Sequence, residues 1–407
     1  MPPKYSPAAG SGGQATRPED RARRGVALVF VVAGLAFASL ASRTPSIQAS
    51  LELRPSGLGL LLICLSVGSL TALPLSGPVV HRYGAARTVM AAGCVVASGL
   101  LVVGSGVGLA IIPLTAPGLF LTGLGVSTWD VAMNVEATDV ERAVGRTLMP
   151  RFHAGFSMGT VVGALVGAGF AGLGLSLTSQ LVATSLLVVT LVIVGTQQFL
   201  PPIADDPGEQ GAAPARIFWM WREPRTLTIG LVVLAFAFTE GSANDWMAVA
   251  LVSGHGTTDA VGALGFGVFL AAMTLARFLG GTVLDRYGRV VVLRCSAGVA
   301  IVGLLVVGLA GPTWLVFPGA LLWGVGAALG FPTGMSAAGD DPQRAAMRVS
   351  VVSSIGYTAF LAGPPLIGFL ADHVGILRAL LVVLVALVLA LATSHSTRTT
   401  SVPSPRS

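Results

Sequence analysis

The sequence predicts an all-α integral membrane protein, with twelve transmembrane helices in two pseudo-symmetric six-helix bundles. Three observations lead there. The first is composition: 53% of the 407 residues are hydrophobic, only 10% are charged, and the mean hydropathy is +0.81. A soluble chain of this length needs far more charge to cover its surface, so the solvent for most of it is lipid. The second is run length. Apolar stretches of about 20 residues, enough to cross a hydrocarbon core of roughly 30 Å, recur along most of the chain. They are continuously apolar rather than alternating, which excludes a closed β-barrel. The third is duplication. Gly77-Pro-Val-Val-His81-Arg82-Tyr83-Gly84 returns as Gly281-Thr-Val-Leu-Asp285-Arg286-Tyr287-Gly288, with corresponding residues 204 positions apart.

In chain order, residues 1–24 are rich in Pro, Gly, Ser and Ala without apolar periodicity, and are expected to be a disordered tail. The first six spans are expected at about 25–45, 56–77, 87–107, 110–134, 150–172 and 176–199, giving an N-terminal bundle over 25–199. A polar linker at 200–225 follows, with Pro201, Pro202, Asp205, Asp206, Pro207 and Glu209. Trp219, Trp221 and Arg222 at its end read as an interfacial anchor. The second six spans fall at about 226–251, 260–283, 290–310, 313–336, 349–371 and 375–393, a C-terminal bundle over 226–393, and 394–407 is a short tail. No cleavage site follows the first run, so no signal peptide is expected.

Arginine placement orients these spans. Basic residues cluster ahead of the first helix and in alternate loops: Arg82 and Arg87, Arg142 and Arg146, Arg216, Arg222 and Arg225, Arg286, Arg289 and Arg294, Arg344 and Arg348, then Arg398 and Arg406. The opposite loops hold little beyond Arg54 and Arg378. Both termini and the linker are therefore expected in the cytoplasm, with the protein in a bacterial inner (plasma) membrane. The net charge of +6 reflects this topology, so no nucleic-acid partner is expected. Cys64, Cys94 and Cys295 lie inside expected helices and far apart in sequence, which supports neither disulfides nor a metal site.

The duplicated knot resembles the loop motif of the major facilitator superfamily, Gly-x-x-x-Asp-[Arg/Lys]-x-Gly-[Arg/Lys], found between helices two and three and between helices eight and nine. Gly281, Asp285, Arg286, Gly288 and Arg289 match every fixed position, whereas the first copy, with Gly77, Arg82 and Gly84, has His81 for the acid and Ala85 for the last basic residue. The resemblance implies two bundles around a cavity that opens alternately to each side, and gating by these loops. It also implies that the acid of the first loop helps latch the cytoplasmic side shut, next to the start of helix eleven. His81 is no permanent anion, so that latch is expected to be weakened or pH-sensitive.

Polar residues inside the apolar spans are the candidate site, because charge in lipid is costly unless it faces a cavity or a partner. Arg43, in Ala41-Ser-Arg43-Thr-Pro45, reads equally as a snorkelling arginine or as an outer-gate or substrate contact. Gly123-x-Gly125 precedes Asp130 and Asn134, which are four apart on one helical face, and Glu136 lies near the inner end. This stretch is similar to helix four of the fucose-type sugar/proton symporters, where a carboxylate four residues before an Asn carries the proton. Here two extra residues separate the acid from the Gly-x-Gly. The bland alternative pairs Asp130 with Arg146 or Arg151. Gly155, Gly159, Gly163 and Gly167 form a ladder against which another helix packs closely. His153 reads as a proton relay or as a structural histidine.

Glu240 lies deep in the seventh span, about 21 Å of helical rise past Thr226, and is expected to be neutral or paired. Gly241 and Ser242 are expected to loosen the backbone beside it, Asn244 repeats the acid-to-Asn spacing, and Asp245 and Trp246 are placed at the outer rim. Arg277 is expected to brace Asp285 or its loop. Gly324 and Gly326 repeat the Gly-x-Gly, but Phe331-Pro332 stands where the acid would be. Tyr357 is a cavity-lining candidate, and Gly363-Pro364-Pro365 is an expected break.

These residues point to a non-enzymatic secondary transporter of a small organic solute, sugar-like or another polar metabolite, driven by protons through Glu240 and Asp130. It is expected to be a monomer without cofactors. The pattern resembles fucose-type symporters and rhizopine-transporter-like inner-membrane proteins. Proton-driven efflux of drug-like metabolites is the alternative within transport. A transporter-like sensor is the alternative outside it, although the cytoplasmic segments are too short for a signalling domain. No nucleophile–base or metal-ligand spacing supports intramembrane hydrolysis.

Overall fold

The computed structural model describes residues 18–145, 148–201, 220–309, 311–341 and 344–398, and the described residues form helices without strands. Helix α1 (Pro18–Ala41) turns at Ser42–Arg43 into α2 (Thr44–Ser50); α3 (Pro55–Tyr83), α4 (Ala85–Gly108), α5 (Ile112–Val144), α6 (Met149–Gly172) and α7 (Leu177–Thr196) follow. The C-terminal half holds α8 (Pro224–Val249) with a π-turn at Ala250–Gly254, α9 (Asp259–Tyr287), α10 (Arg289–Leu309), α11 (Val316–Ala327), α12 (Gly330–Ala338) and α13 (Ala345–Val374). Helices α14 (Ile376–Leu380) and α15 (Val383–Thr393) end the described chain, with a 3₁₀ turn at Ser394–Thr397. Most of the linker, with Trp219, and Arg146 lie outside the described residues. Helix α1 begins at Pro18, within the stretch read from the sequence as a tail.

Eleven helices among the described residues are long and apolar enough to cross a membrane. The expected fourth span, α5, is not among the eleven; its 33 residues include Asp130, Glu136, Asp139, Glu141 and Arg142. The helix ends follow local chemistry. Ser176 and Thr258 cap α7 and α9, accepting bonds from Ser179 and Val261 backbone N–H groups. Gly84 and Gly288 stop α3 and α9 at φ 79° and 76°, a backbone that side chains resist, and their N–H groups bond back to Val80 and Leu284. The two copies of the knot thus share one backbone conformation.

Small residues set how the helices meet. A methyl placed on Gly159, Gly163 or Gly167 would stand 2.0, 2.5 or 2.1 Å from the Val31 carbonyl oxygen, the Leu35 carbonyl oxygen or Ser42 Oγ. The glycine ladder of α6 is therefore the groove that receives α1, as its spacing predicts. The Gly-x-Gly pairs repeat each other's packing: Gly123 meets α3 and Gly125 meets α4, while Gly324 meets α9 and Gly326 meets α10. Between the sequence halves, α3 packs on α13 and α6 packs on α9.

Two expected breaks are absent. Helix α8 runs unbroken through Gly241 and Ser242, because the space beside Gly241 is filled by the Phe360 ring. Helix α13 runs through Pro364 and Pro365. Pro364 leaves the Phe360 carbonyl without its helical donor, and Ser66 Oγ of α3 supplies one at 2.9 Å. The breaks that do occur within spans are at Ser42–Arg43, at Ala328–Leu329 and at Leu381–Val382. Trp246, in the last turn of α8, is fully buried, and Asp245 beside it is half-buried.

Candidate functional site

The middle of the site is an ion pair. Glu240, near the middle of α8, accepts a 2.7 Å hydrogen bond from Arg277 Nη2 of α9. Arg277 Nε also donates to the Ala328 carbonyl at 3.1 Å. That carbonyl is free for a local reason. In a continuous helix it would accept from residue 332, which is Pro332 and has no N–H, and the chain breaks there between α11 and α12. Proline, broken helix, orphaned carbonyl, arginine and glutamate thus form one chain of causes. Trp323 Nε1 donates to the Thr239 carbonyl at 3.1 Å and its ring stands edge-on to Phe269, which fixes α8 beside α9 and α11. Arg277 was expected to brace Asp285; its guanidinium is instead committed to Glu240 and Ala328.

The N-terminal half contributes its own polar residues on α5 and α6. Asp130 is exposed and Asn134 Nδ2 donates to its backbone oxygen at 2.8 Å and to its carboxylate at 3.3 Å, as their shared face predicts. Asp130 makes no ion pair among the described residues, so pairing with Arg151 does not hold. Tyr357 of α13 packs its ring near Phe360, with centroids 6.3 Å apart. His153, exposed near the start of α6, stands edge-on to Phe30 with ring centroids 5.3 Å apart. Asn244 is half-buried and its Oδ1 has no hydrogen-bond donor among the described residues.

Arg43 is 4% exposed, too buried for a snorkelling arginine. Its guanidinium donates to Ser46 Oγ at 2.9 Å and Gln180 Oε1 at 3.0 Å, and lies 3.9 Å from Asp259 Oδ2 at the start of α9. Ser46 Oγ also donates to Asp259. This cluster ties the α1–α2 turn to the C-terminal half at the end of the molecule away from the chain termini. Asp259 and Gln180 were not singled out from the sequence, and nothing in their local pattern marks them.

At the opposite end, Arg225, Arg289 and Asp340 form one cluster and Glu223, Arg344 and Arg348 another, each within the C-terminal half. Arg289 Nη1 bonds both carboxylate oxygens of Asp340 at 2.7 and 2.9 Å, and Arg225 adds a third contact at 3.2 Å. Glu223, ahead of α8, takes Arg348 Nε at 2.8 Å and lies 3.6 Å from Arg344. Bonding to Arg348 is the main reason its carboxyl is held below the ordinary glutamate range, helped by Thr226 and Arg344 against the opposing effect of burial. In the duplicated knots, Gly77 and Gly281 face open space and His81, Arg82, Asp285 and Arg286 are exposed. Arg82 and Arg286 lie over the Tyr83 and Tyr287 rings. Asp285 has no ion pair or hydrogen bond among the described residues.

The model of the Major Facilitator Superfamily matches residues 26–340 and 229–406. This chain belongs to the major facilitator superfamily. It is 33% identical over 364 residues to an uncharacterized MFS-type transporter of Yersinia pestis, covering 88% of this chain and 91% of that one. It is 28% identical over 377 residues to the membrane protein MosC of Rhizobium meliloti, covering 88% and 86%. Among solved structures, the nucleoside transporter NupG superposes with a TM-score of 0.78 at 15% identity, over 93% of this chain and all of that one. The E. coli fucose:proton symporter FucP superposes with a TM-score of 0.63 at 15% identity, over 94% and 100%. This member of the superfamily is a multi-pass membrane transporter and not an enzyme.

Proposed function

We propose that this superfamily member is a proton-coupled secondary transporter of a small polar organic solute, working by alternating access between two six-helix bundles. Helix α5 counts as the twelfth span in this reading: Glu136 and Glu141 are taken up by the backbone N–H groups of Leu200, Leu148 and Met149, and Asp130 is left to face the cavity. Both termini lie in the cytoplasm and the protein resides in the inner membrane, on the strength of the alternate-loop arginines. The end joined by Arg43, Ser46 and Asp259 is then the outer side and is closed; the cytoplasmic side, with Asp285 disengaged, is open.

One observation carries the coupling assignment: Glu240, near the middle of α8, is held in an ion pair with Arg277, while Asp130 makes no ion pair among the described residues. A carboxylate that binds a proton releases its arginine, and one that loses the proton recaptures it, so the pair changes partners with each proton carried. Glu240 is the coupling acid and Asp130 the second proton site, with Asn134, His153, Asn244 and Tyr357 lining the solute path and Arg43 at the outer gate. The names of NupG and FucP support a polar, hydroxylated solute. Purified protein screened for thermal stabilisation against sugars, polyols, nucleosides and antibiotics tests this. Stabilisation by a polyhydroxy solute that also undergoes counterflow in proteoliposomes is expected; stabilisation by antibiotics alone would contradict it.

A further inference from the structure

The loop motif has a third copy at the other end of the molecule. Gly368-Phe-Leu-Ala-Asp372-His373-Val-Gly375 repeats the fixed glycine, acid and glycine of Gly281, Asp285 and Gly288, each 87 positions later. The backbone repeats as well: Gly375 stops α13 at φ 79°, ψ 156°, against 76° and 158° at Gly288, and its N–H bonds back to the Ala371 carbonyl at 2.9 Å. This copy is engaged where the Asp285 copy is free. Asp372 Oδ1 accepts a 3.2 Å hydrogen bond from the Ser56 backbone N–H, in the first turn of α3.

That first turn needs an acceptor from elsewhere. Helix α3 opens with Arg54 at the capping position, and no side-chain cap is made there; Pro55 follows, with no N–H. The Ser56 N–H is thus an orphan at the positive end of a 29-residue helix, and the carboxylate that meets it comes from the other half of the chain. The contact is set by close approach of the two backbones. A methyl on Gly368 would stand 2.4 Å from the Pro55 carbonyl oxygen, and one on Gly59 would stand 2.5 Å from the Pro364 carbonyl oxygen.

We propose that Asp372 is an outer latch: it caps α3 across the two halves only when the end away from the termini is closed, and so holds the transporter in the conformation seen here. The assignment rests on the alternating-access reading above. It also gives the three copies distinct roles. The His81 copy lacks the acid, the Asp285 copy is disengaged, and the Asp372 copy is closed on its partner.

Opening this end removes a helix cap, so losing the latch should raise the open-to-closed ratio about fivefold. The test replaces Cys64, Cys94 and Cys295 by Ala and places spin labels at two exposed positions flanking that end, Leu173 and Leu309. Double electron–electron resonance in nanodiscs then reads the open and closed populations. Asp372→Ala should enrich the long distance about fivefold. Arg54→Ser gives α3 a cap of its own, so adding Asp372→Ala in that background should change the ratio far less. Two populations whose ratio ignores Asp372→Ala in both backgrounds would overturn the latch alone. A single distance in every variant would overturn alternating access and the latch with it.

Discussion

Removing Arg277 has consequences at two places, and they can be separated. Arg277 pairs with Glu240 at 2.7 Å, with 16% of the glutamate and 32% of the arginine side chain exposed. Two unit charges about 4 Å apart at an effective dielectric near 20 attract by about 4 kcal/mol, of which desolvation and side-chain ordering leave roughly 2. Arg277 also satisfies the Ala328 carbonyl, worth about 1 kcal/mol more. Arg277→Ala should therefore cost about 3 kcal/mol and Glu240→Ala about 2, while the double variant costs no more than Arg277→Ala alone. Unfolding in detergent, followed by far-ultraviolet circular dichroism, reads all three. Pro332→Ala supplies the N–H that Ala328 lacks, so in the Arg277→Ala background it should return about 1 kcal/mol. Strictly additive single variants would refute the pair, and no rescue by Pro332→Ala would refute the account of the free carbonyl.

Three further outcomes are expected. Glu223 titrates lower in the folded protein than the ordinary 4.5, so its stabilising contribution is complete above about pH 4.5 and is lost as pH falls through the lower folded value; Glu223→Gln should remove that acid-side loss in a thermal-stability profile. Gly159→Ala should destabilise by about 2–3 kcal/mol, because α1 and α6 must separate by more than 1 Å, while Gly169→Ala on the same helix, with nothing within 4 Å, should be neutral or slightly stabilising in the same unfolding measurement. Reporter fusions at either terminus should read cytoplasmic; a periplasmic reading at both would invert the assignment of inner and outer ends.

What was legible in the sequence was what lipid enforces locally. Each span must satisfy its own backbone and present an apolar surface, so run length and composition suffice to find it. Helix α5 departs from that rule, with Asp130, Glu136, Asp139, Glu141 and Arg142 along it, and Glu136 and Glu141 spent on the backbone N–H groups of neighbouring segments. Periodicity also placed Asp130 with Asn134 and the glycines of α6 on one face each, since both relations live within a single helix. The depth of Glu240 followed from helical rise alone. Its partner did not, because the phase of one helix says nothing about which neighbour it meets. The one available signal for Arg277 was Pro332, which guarantees a carbonyl in need of a donor. Breaks were misjudged for the same reason: Phe360 filling the space at Gly241 and Ser66 bonding the Phe360 carbonyl keep α8 and α13 continuous. The copy of the motif at Gly368 lacks the basic residue of the others and so is faint without the backbone geometry of Gly375.

The central claim, that Glu240 couples solute movement to protons, is tested most directly by proton flux in proteoliposomes. A solute identified by stabilisation is added to vesicles loaded with a pH-sensitive dye. The wild-type protein should move protons with the solute, and Glu240→Gln should abolish both that signal and uphill accumulation while leaving solute counterflow intact. The same measurement on Asp130→Asn ranks the two acids. If Glu240→Gln still accumulates solute uphill with an unchanged proton signal, Glu240 is a paired structural carboxylate and the coupling role passes to Asp130.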